Sequence, residues 1–295
     1  MSAIAGAQLR PIPVNRLLLV GESDEIVATL RSRLPAGTWV VERVPDNASV
    51  LPLVRTKTFD VILTGAHTSG REDIDLLRKI RKVHPHTRLI IIADEGTPDD
   101  VITAMREHAF SYFSKPYSLD TLVMMVQRAI AQPAWDDGIE VVSATPEWIR
   151  IRARCDIPTA DRVLHFFDEI ADLPDPERSA VGIAMREMLL NAIEHGGNLD
   201  PKEYVEVAYV RARHMVTCRI TDPGEGFALH DVPHAAIANP ADDPMQHVKV
   251  REAQGLRPGG FGVLLTRHMV DELIYGEDGN DVLLVKYLQT EPQAS

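Results

Sequence analysis

Glu187, Asn191 and Glu194 fall at i, i+4 and i+7 in the run Glu187-Met-Leu-Leu-Asn191-Ala-Ile-Glu194-His195-Gly196-Gly197. A helix through 177 to 195 puts all three on one face. On that face Asn191 offers a neutral carbonyl oxygen suited to Mg²⁺, an ion that takes few protein ligands and fills its shell with phosphates and water. One turn earlier, the Glu187 carboxylate is placed to take a proton from an attacking hydroxyl. A second group, Asp222-Pro-Gly224-Glu-Gly226-Phe227, follows the short β-prone run at 216 to 220. A carboxylate delivered at a strand end accepts a hydrogen bond from an adenine amino group, which guanine does not offer at that position. Gly224 and Gly226 clear side chains where backbone must bend or approach a ligand. A third group, Gly259, Gly260 and Gly262, precedes a helical stretch at 263 to 273. Free N–H groups and the positive end of that helix face phosphates. No Walker-type Gly-Lys-Ser/Thr occurs, so this phosphate cradle is of another kind.

Taken singly, a Glu and an Asn on a helix face read as solvated surface, and an Asp-x-Gly-x-Gly as a turn in which Asp bonds its own backbone. The ordered set of helix block, strand-end block and glycine-to-helix block resembles the Bergerat-type ATP pocket shared by sensor kinases, gyrase-like ATPases and anti-sigma-factor serine kinases. The resemblance covers about 140 to 289. It implies ATP and Mg²⁺ as cofactors, with Glu187 as catalytic base and Asn191 as metal ligand. It further implies nucleotide contacts from Asn191, Glu194, His195, Asp222, Gly224, Gly226, Gly259, Gly260 and Gly262.

At 295 residues the chain suits two domains, each able to bury its own core. A net charge of −12 argues against a non-specific nucleic-acid coat, and no direct nucleic-acid contact is expected. Cys155 and Cys218 lie far apart in apparent strands and read as buried free thiols, with a reducing cytoplasm as the expected home. The start lacks the charged n-region and long apolar core of a signal peptide. No apolar run approaches membrane-spanning length, so no membrane contact is expected.

The first half has another rhythm. Arg-Leu-Leu-Leu-Val (16 to 20), Phe-Asp-Val-Ile-Leu-Thr (59 to 64) and Arg-Leu-Ile-Ile-Ile-Ala (88 to 93) are near-continuous apolar runs, as in strands buried on both faces of a parallel sheet. Helix-like stretches lie at Glu25 to Leu34, Asp73 to Val83, Pro98 to His108 and Leu119 to Ala131. Their alternation predicts a doubly wound α/β domain. Tyr112 to Ser114 reads as a last strand before the Lys115-Pro116 turn.

The segment 14 to 132 resembles a response-regulator receiver domain, with Lys115-Pro116 as its most specific mark. A receiver that takes up phosphate has an acidic pair after the first strand, an Asp after the third, a hydroxyl after the fourth and a Lys after the fifth. Here those positions read Gly21-Glu22, Gly65, Ala93 and Lys115. The resemblance therefore implies a pseudo-receiver, its fold kept and its phosphotransfer lost, with Lys115 a structural remnant. Glu22, Ser23 and Asp24 could form a weak cation site, but exposed acids in a turn, Glu22 and Asp24, are the plainer reading.

A linker is expected at 133 to 139, and beyond it an α+β domain over 140 to 289, with helices covering one face of a mixed sheet. Strands are expected at Glu147 to Cys155 and Glu203 to Arg211, and helices at 159 to 172 and 177 to 195. The segment 227 to 258 is long and aperiodic, a length unusual unless functional, and the resemblance implies that it is the lid over the nucleotide. Arg251 and Arg257 are its candidates for γ-phosphate, and the spacing of His230, His234 and His247 fits no zinc pattern. The compact ending, Asp-Glu-Leu-Ile-Tyr followed by Asp-Val-Leu-Leu-Val-Lys, most resembles anti-sigma-factor serine kinases. That resemblance implies an ATP-dependent protein serine/threonine kinase with an anti-sigma antagonist as substrate and a sigma factor as a held partner, and the role expected of the pseudo-receiver is protein contact, through homodimerisation or docking of an upstream regulator. Two alternatives stay open: a non-catalytic, nucleotide-dependent switch that sequesters a partner, and an atypical histidine kinase with His165 as phosphoacceptor. Asn280 and Asp281 depart from the pattern, standing where a Thr often supports the adenine.

Overall fold

The computed structural model describes residues 14–65, 70–131, 137–226 and 261–288. The expected lid, with Arg251, Arg257 and its histidines, lies outside the described residues, as do Gly259 and Gly260. Two compact units divide the chain. The first contains 14–95 and 113–131, and the second 96–112 together with everything described from 137 onward.

The first half alternates strand and helix as its periodicity predicts. The strands are β1 (Asn15–Val20), β2 (Trp39–Val44), β3 (Val61–Thr64), β4 (Arg88–Ala93) and β5 (Ser111–Ser114). The helices are α1 (Asp24–Arg33), α2 (Asn47–Val54), α3 (Gly70–Val83), α4 (Pro98–Arg106) and α5 (Leu119–Ala131). The sheet runs β2-β1-β3-β4-β5, with β1 parallel to β2 and β3, and β3 parallel to β4. This is a doubly wound order, in which loops at the carboxyl ends of the strands form the functional edge. Leu17 to Val20, Val61 to Leu63 and Leu89 to Ile92 are wholly buried, which explains why they read as unbroken apolar runs.

The second unit is built on a six-stranded sheet ordered β10-β11-β9-β8-β7-β6. Its strands are β6 (Ile139–Thr145), β7 (Trp148–Arg154), β8 (Tyr204–Arg211), β9 (Met215–Thr221), β10 (Glu272–Tyr275) and β11 (Asp281–Tyr287). Every pairing is antiparallel, which corrects the expected mixed sheet. β9 and β10 run in the same direction but are separated by β11, which returns antiparallel between them, so no two adjacent strands are parallel. Ile149, Ile151, Val205, Val207, Cys218 and Ile220 point into the core, whereas Trp148, Arg150 and Arg152 alternate outward.

The inner face is covered by α6 (Ile157–Ile170) and α7 (Asp175–Asn191), and α8 (Gly262–Met269) packs along α7. Asp156 caps α6 by accepting from the Thr159 amide at 2.7 Å. The α-helical hydrogen bonding of α7 stops at Asn191 and gives way to a π turn, Ala192–Gly196. The expected helix through 195 is thereby corrected, and Glu194 leaves strict 3.6-residue register with Glu187. Such turns are frequent at functional sites.

Within this same unit, residues 96–112 pack on α6 and β6. The buried Arg162 guanidinium donates to Phe110 O at 2.9 Å and pairs with Asp137 Oδ1 at 2.9 Å. That pairing answers the cost of a buried charge.

Candidate functional site

The chain carries two candidate sites, and the simpler is the strand-end pocket of the first unit. Gly65 follows β3, where a receiver carries its phosphorylated Asp. A Cβ at Gly65 would stand 2.5 Å from Val20 O and 2.8 Å from Glu22 Oε1. The Glu22 side chain thus fills the space that an acceptor carboxylate would occupy. Glu22 is itself buried, so it is not an exposed turn acid, and its Oε1 has no hydrogen-bond partner. Burial lifts its carboxyl to about 7, against the pull of the Ser23 amide, Lys115 and Arg43. Lys115 Nζ reaches away to Asp94 Oδ1 at 2.6 Å. The degeneracy therefore goes beyond a missing Asp: the cavity is closed by another side chain and its cation is engaged elsewhere.

The ATP-type site is assembled from α7, the loop after β9, the head of α8 and the β10–β11 turn. Glu187 and Asn191, one turn apart on α7, meet the start of α8. A Cβ at Gly262 would lie 2.7 Å from Glu187 Oε2 and 3.6 Å from Asn191 Nδ2. Gly262 is the first residue of α8, and no side chain caps that end. The first N–H groups of a helix have no intrahelical acceptor, so a proton-accepting carboxylate and an anion-seeking backbone stand side by side.

Asp222 forms the other half. A Cβ on Gly196, the last residue of the π turn, would stand 2.1 Å from Asp222 Oδ1. Only glycine lets the carboxylate lie against that backbone. Asp222 Oδ1 accepts from the Gly224 amide at 2.8 Å, which fixes the carboxylate orientation. Burial raises the Asp222 carboxyl above its usual range, and the Gly224 amide opposes the rise. Gly226 has φ +79, and a Cβ there would lie 1.7 Å from Asp278 O in the β10–β11 turn. Both its conformation and its contact require glycine.

Of the residues singled out in the sequence, Glu187, Asn191 and Gly262 come together, as do Asp222 and Gly224. Half-buried Glu194 and exposed His195 ride on the π turn that joins the two groups along the chain. Gly259 and Gly260 fall outside the described residues. Gly196 is a further site residue, and the Gly196-Gly197 pair directly after the helix block is its signal in the sequence. Gly197 is equally constrained, since a Cβ there would meet Cys155 Sγ at 2.2 Å. Both cysteines are buried and free, and burial pushes the Cys155 thiol up to about 11.

The donor set suits Mg²⁺-nucleotide rather than a metal held by protein alone. Among the described residues no cluster of three or more His, Cys, Asp or Glu is placed to hold a metal ion. An Asn oxygen with nucleotide phosphates and water is the sparse protein share that Mg²⁺ accepts. His165 does not offer a phosphoacceptor. Its ring Nε2 lies 2.9 Å from Tyr112 O, its side chain is only 9% exposed, and burial lowers its pKa to about 4. Among the described residues, no helix is long and apolar enough to cross a membrane.

Two family models match the chain, and the one covering the first half runs through residues 96–112, which pack with the second unit. The family model of the histidine kinase-like ATPase domain matches residues 152–286, and that of the response regulator receiver domain matches 17–127. The chain is similar to the DNA-binding transcriptional regulator NtrC of Escherichia coli (strain K12), 30% identical over 116 residues, which are 39% of this chain and 25% of that protein. It is also similar to the transcriptional regulatory protein GlrR of the same organism, 25% identical over 139 residues, 46% of this chain and 31% of that one. The chain thus spans between a quarter and a third of the length of these relatives. Among solved structures it is similar to a response regulator receiver domain protein from Clostridium thermocellum, with 27% identity, a TM-score of 0.34, and coverage of 40% of this chain and 95% of that chain. The receiver domain of nitrogen regulatory protein C is similar at 26% identity and a TM-score of 0.35, over 41% of this chain and 97% of that one. The chain joins a response regulator receiver domain to a histidine kinase-like ATPase domain.

Proposed function

We propose that the protein is a serine/threonine kinase of the anti-sigma-factor type, controlled through a receiver domain that takes up no phosphate. The observation that supports this reading is the closeness of the Glu187 carboxylate to the head of α8, where a Cβ built on Gly262 would lie 2.7 Å from Glu187 Oε2. In this reading Glu187 is the proton acceptor at the phosphate end of the nucleotide and Asp222 is the acceptor for the adenine amino group. Glu187 takes the proton of a partner's serine or threonine hydroxyl as its oxygen attacks the γ-phosphorus. The new O–P bond forms, the bond to the β-phosphate oxygen breaks, and ADP leaves. Asn191 would hold Mg²⁺, which neutralises phosphate charge when bound. The substrate in this reading is an anti-sigma antagonist, a sigma factor is a second, held partner, the protein pairs with its own copy, and the compartment is the cytoplasm.

The test is phosphoryl transfer from labelled ATP to antagonist-type domains by wild type and by Glu187→Gln at saturating ATP. The amide is isosteric, so ATP still binds, while loss of a general base lowers the rate by about 10² to 10⁴. Equal rates would remove Glu187 from the reaction. No transfer by wild type, with ATP-dependent capture of a partner, would replace the kinase by the sequestering switch.

A further inference from the structure

Beyond its own bond from the Gly224 amide to Asp222 Oδ1, the adenine-side loop is held from outside. Three contacts from the β10–β11 turn fix it, and two come from one side chain. Asn280 O accepts from the Asp222 amide at 2.9 Å, a contact any residue would make through its backbone. Asn280 Nδ2 lies 3.5 Å from Asp222 O and 3.3 Å from Gly224 O, donating to both carbonyls. An amide turned the other way would aim its oxygen at two carbonyl oxygens, so the donor orientation is dictated by the surroundings. Asp281, the next residue, is occupied differently: it takes both a two-pronged ion pair from Arg219, at 2.8 and 2.9 Å, and the Thr221 hydroxyl at 2.8 Å. That lock fixes the β9–β11 register immediately before the loop. The Asp278 carbonyl closes the far side against Gly226.

We infer that Asn280 is the positioning residue of the adenine site, holding the Asp222-Pro-Gly224 loop so that the Asp222 carboxylate presents its second oxygen at a fixed place. The inference rests on the nucleotide reading given above. It assigns Asn280 no contact with the ligand. Any residue at 280 keeps the backbone bond, so the side-chain amide alone is what substitution tests.

The experiment is calorimetric titration of the full chain with Mg²⁺-ATP for wild type, Asn280→Ala and Asn280→Asp, repeated from pH 5 to pH 8, with thermal unfolding of each protein. Asn280→Ala weakens ATP binding by about 3- to 10-fold at every pH, the size of one or two long hydrogen bonds. Asn280→Asp is informative because its ionised form faces the Asp222 and Gly224 carbonyls, with the acids Asp222, Glu225, Glu277, Asp278 and Asp281 around it and Arg219 as the nearby cation. It binds at least as weakly as the alanine variant at pH 8 and recovers toward wild type at pH 5, because a carboxyl facing two carbonyl oxygens among other acids is held above the ordinary Asp value of about 4 and, once protonated, again donates. Affinities are read as ratios to wild type at each pH. A purely structural defect does not recover on acidification. Variants equal to wild type throughout, or an Asn280→Asp ratio that does not change with pH, would overturn the positioning role while leaving ATP binding intact. No ATP binding by wild type would overturn both this inference and the nucleotide reading.

Discussion

Gly196→Ala is the most demanding single-methyl test of the assembled site. A Cβ at this position would lie 2.1 Å from Asp222 Oδ1, 2.2 Å from its Cγ and 2.5 Å from its Cβ. Ordinary contact begins at 3.4 Å, so the carboxylate must retreat by more than an ångström. Its bond to the Gly224 amide is 2.8 Å now, and a retreat of that size breaks it. The acceptor for an adenine amino group is lost with the same movement. Leaving a buried polar group unpaired on binding costs about 1–3 kcal/mol, a weakening of ATP affinity by roughly 5- to 150-fold. Overpacking the methyl against α7 and β9 destabilises the fold by about 1–3 kcal/mol as well. Gly182→Ala is the matched control, because nothing lies within 4 Å of its Cβ and an alanine in that helix is favourable. Calorimetry with ATP, alongside thermal unfolding, separates the two effects. If Gly196→Ala folds and binds ATP within twofold of wild type, the assignment of Asp222 as the adenine acceptor fails.

Two predictions concern the receiver. Burial holds the Glu22 carboxyl at about 7 in the folded chain against an ordinary 4.5, so the proton is bound more tightly in the fold. Stability therefore falls as pH rises between those values, and the loss is complete above 7. Glu22→Gln should stabilise the protein at pH 8 by on the order of 1–3 kcal/mol and hardly at all near pH 4. A pH series of unfolding temperatures with no such difference would contradict this. Restoring the missing acceptor by Gly65→Asp should yield no phospho-aspartate from acetyl phosphate, because the Glu22 carboxylate and Val20 carbonyl already fill that space. A phosphorylated Asp detected by mass spectrometry would refute the closed pocket.

Much of this was legible in the sequence where burial is complete or where side chains announce themselves. β1, β3 and β4 are buried on both faces and read as continuous apolar runs. The span of α5 agrees with its periodic stretch, Leu119 to Ala131. β2 was missed because it is an edge strand with Glu42 and Arg43 in it, so neither burial nor alternation marks it. α2 was missed because Pro52 stands inside it; the Asp46 cap, accepting from the Ser49 amide at 2.8 Å, supports the helix start. β6, at the other sheet's edge, carries a register shift between Val141 and Ser143 that disguises its period. The site blocks were readable as residue types. Their meeting was not, since it depends on Gly196 and Gly262 admitting side chains from distant elements. The π turn after Asn191 left no pattern, because backbone hydrogen bonding rather than side-chain spacing defines it.

Nucleotide binding is the claim on which all the chemistry rests. Titrating the full chain with ATP, with and without Mg²⁺, tests it directly in wild type, Asp222→Ala and Asn191→Ala. Wild type should bind ATP more tightly with Mg²⁺ than without. Asp222→Ala should lose about 1–3 kcal/mol of binding in both conditions, because the adenine contact is independent of metal. Asn191→Ala should lose only the increment that Mg²⁺ adds. Wild type that fails to bind ATP, or an Asp222→Ala protein that binds it unchanged, would contradict the site described for this chain.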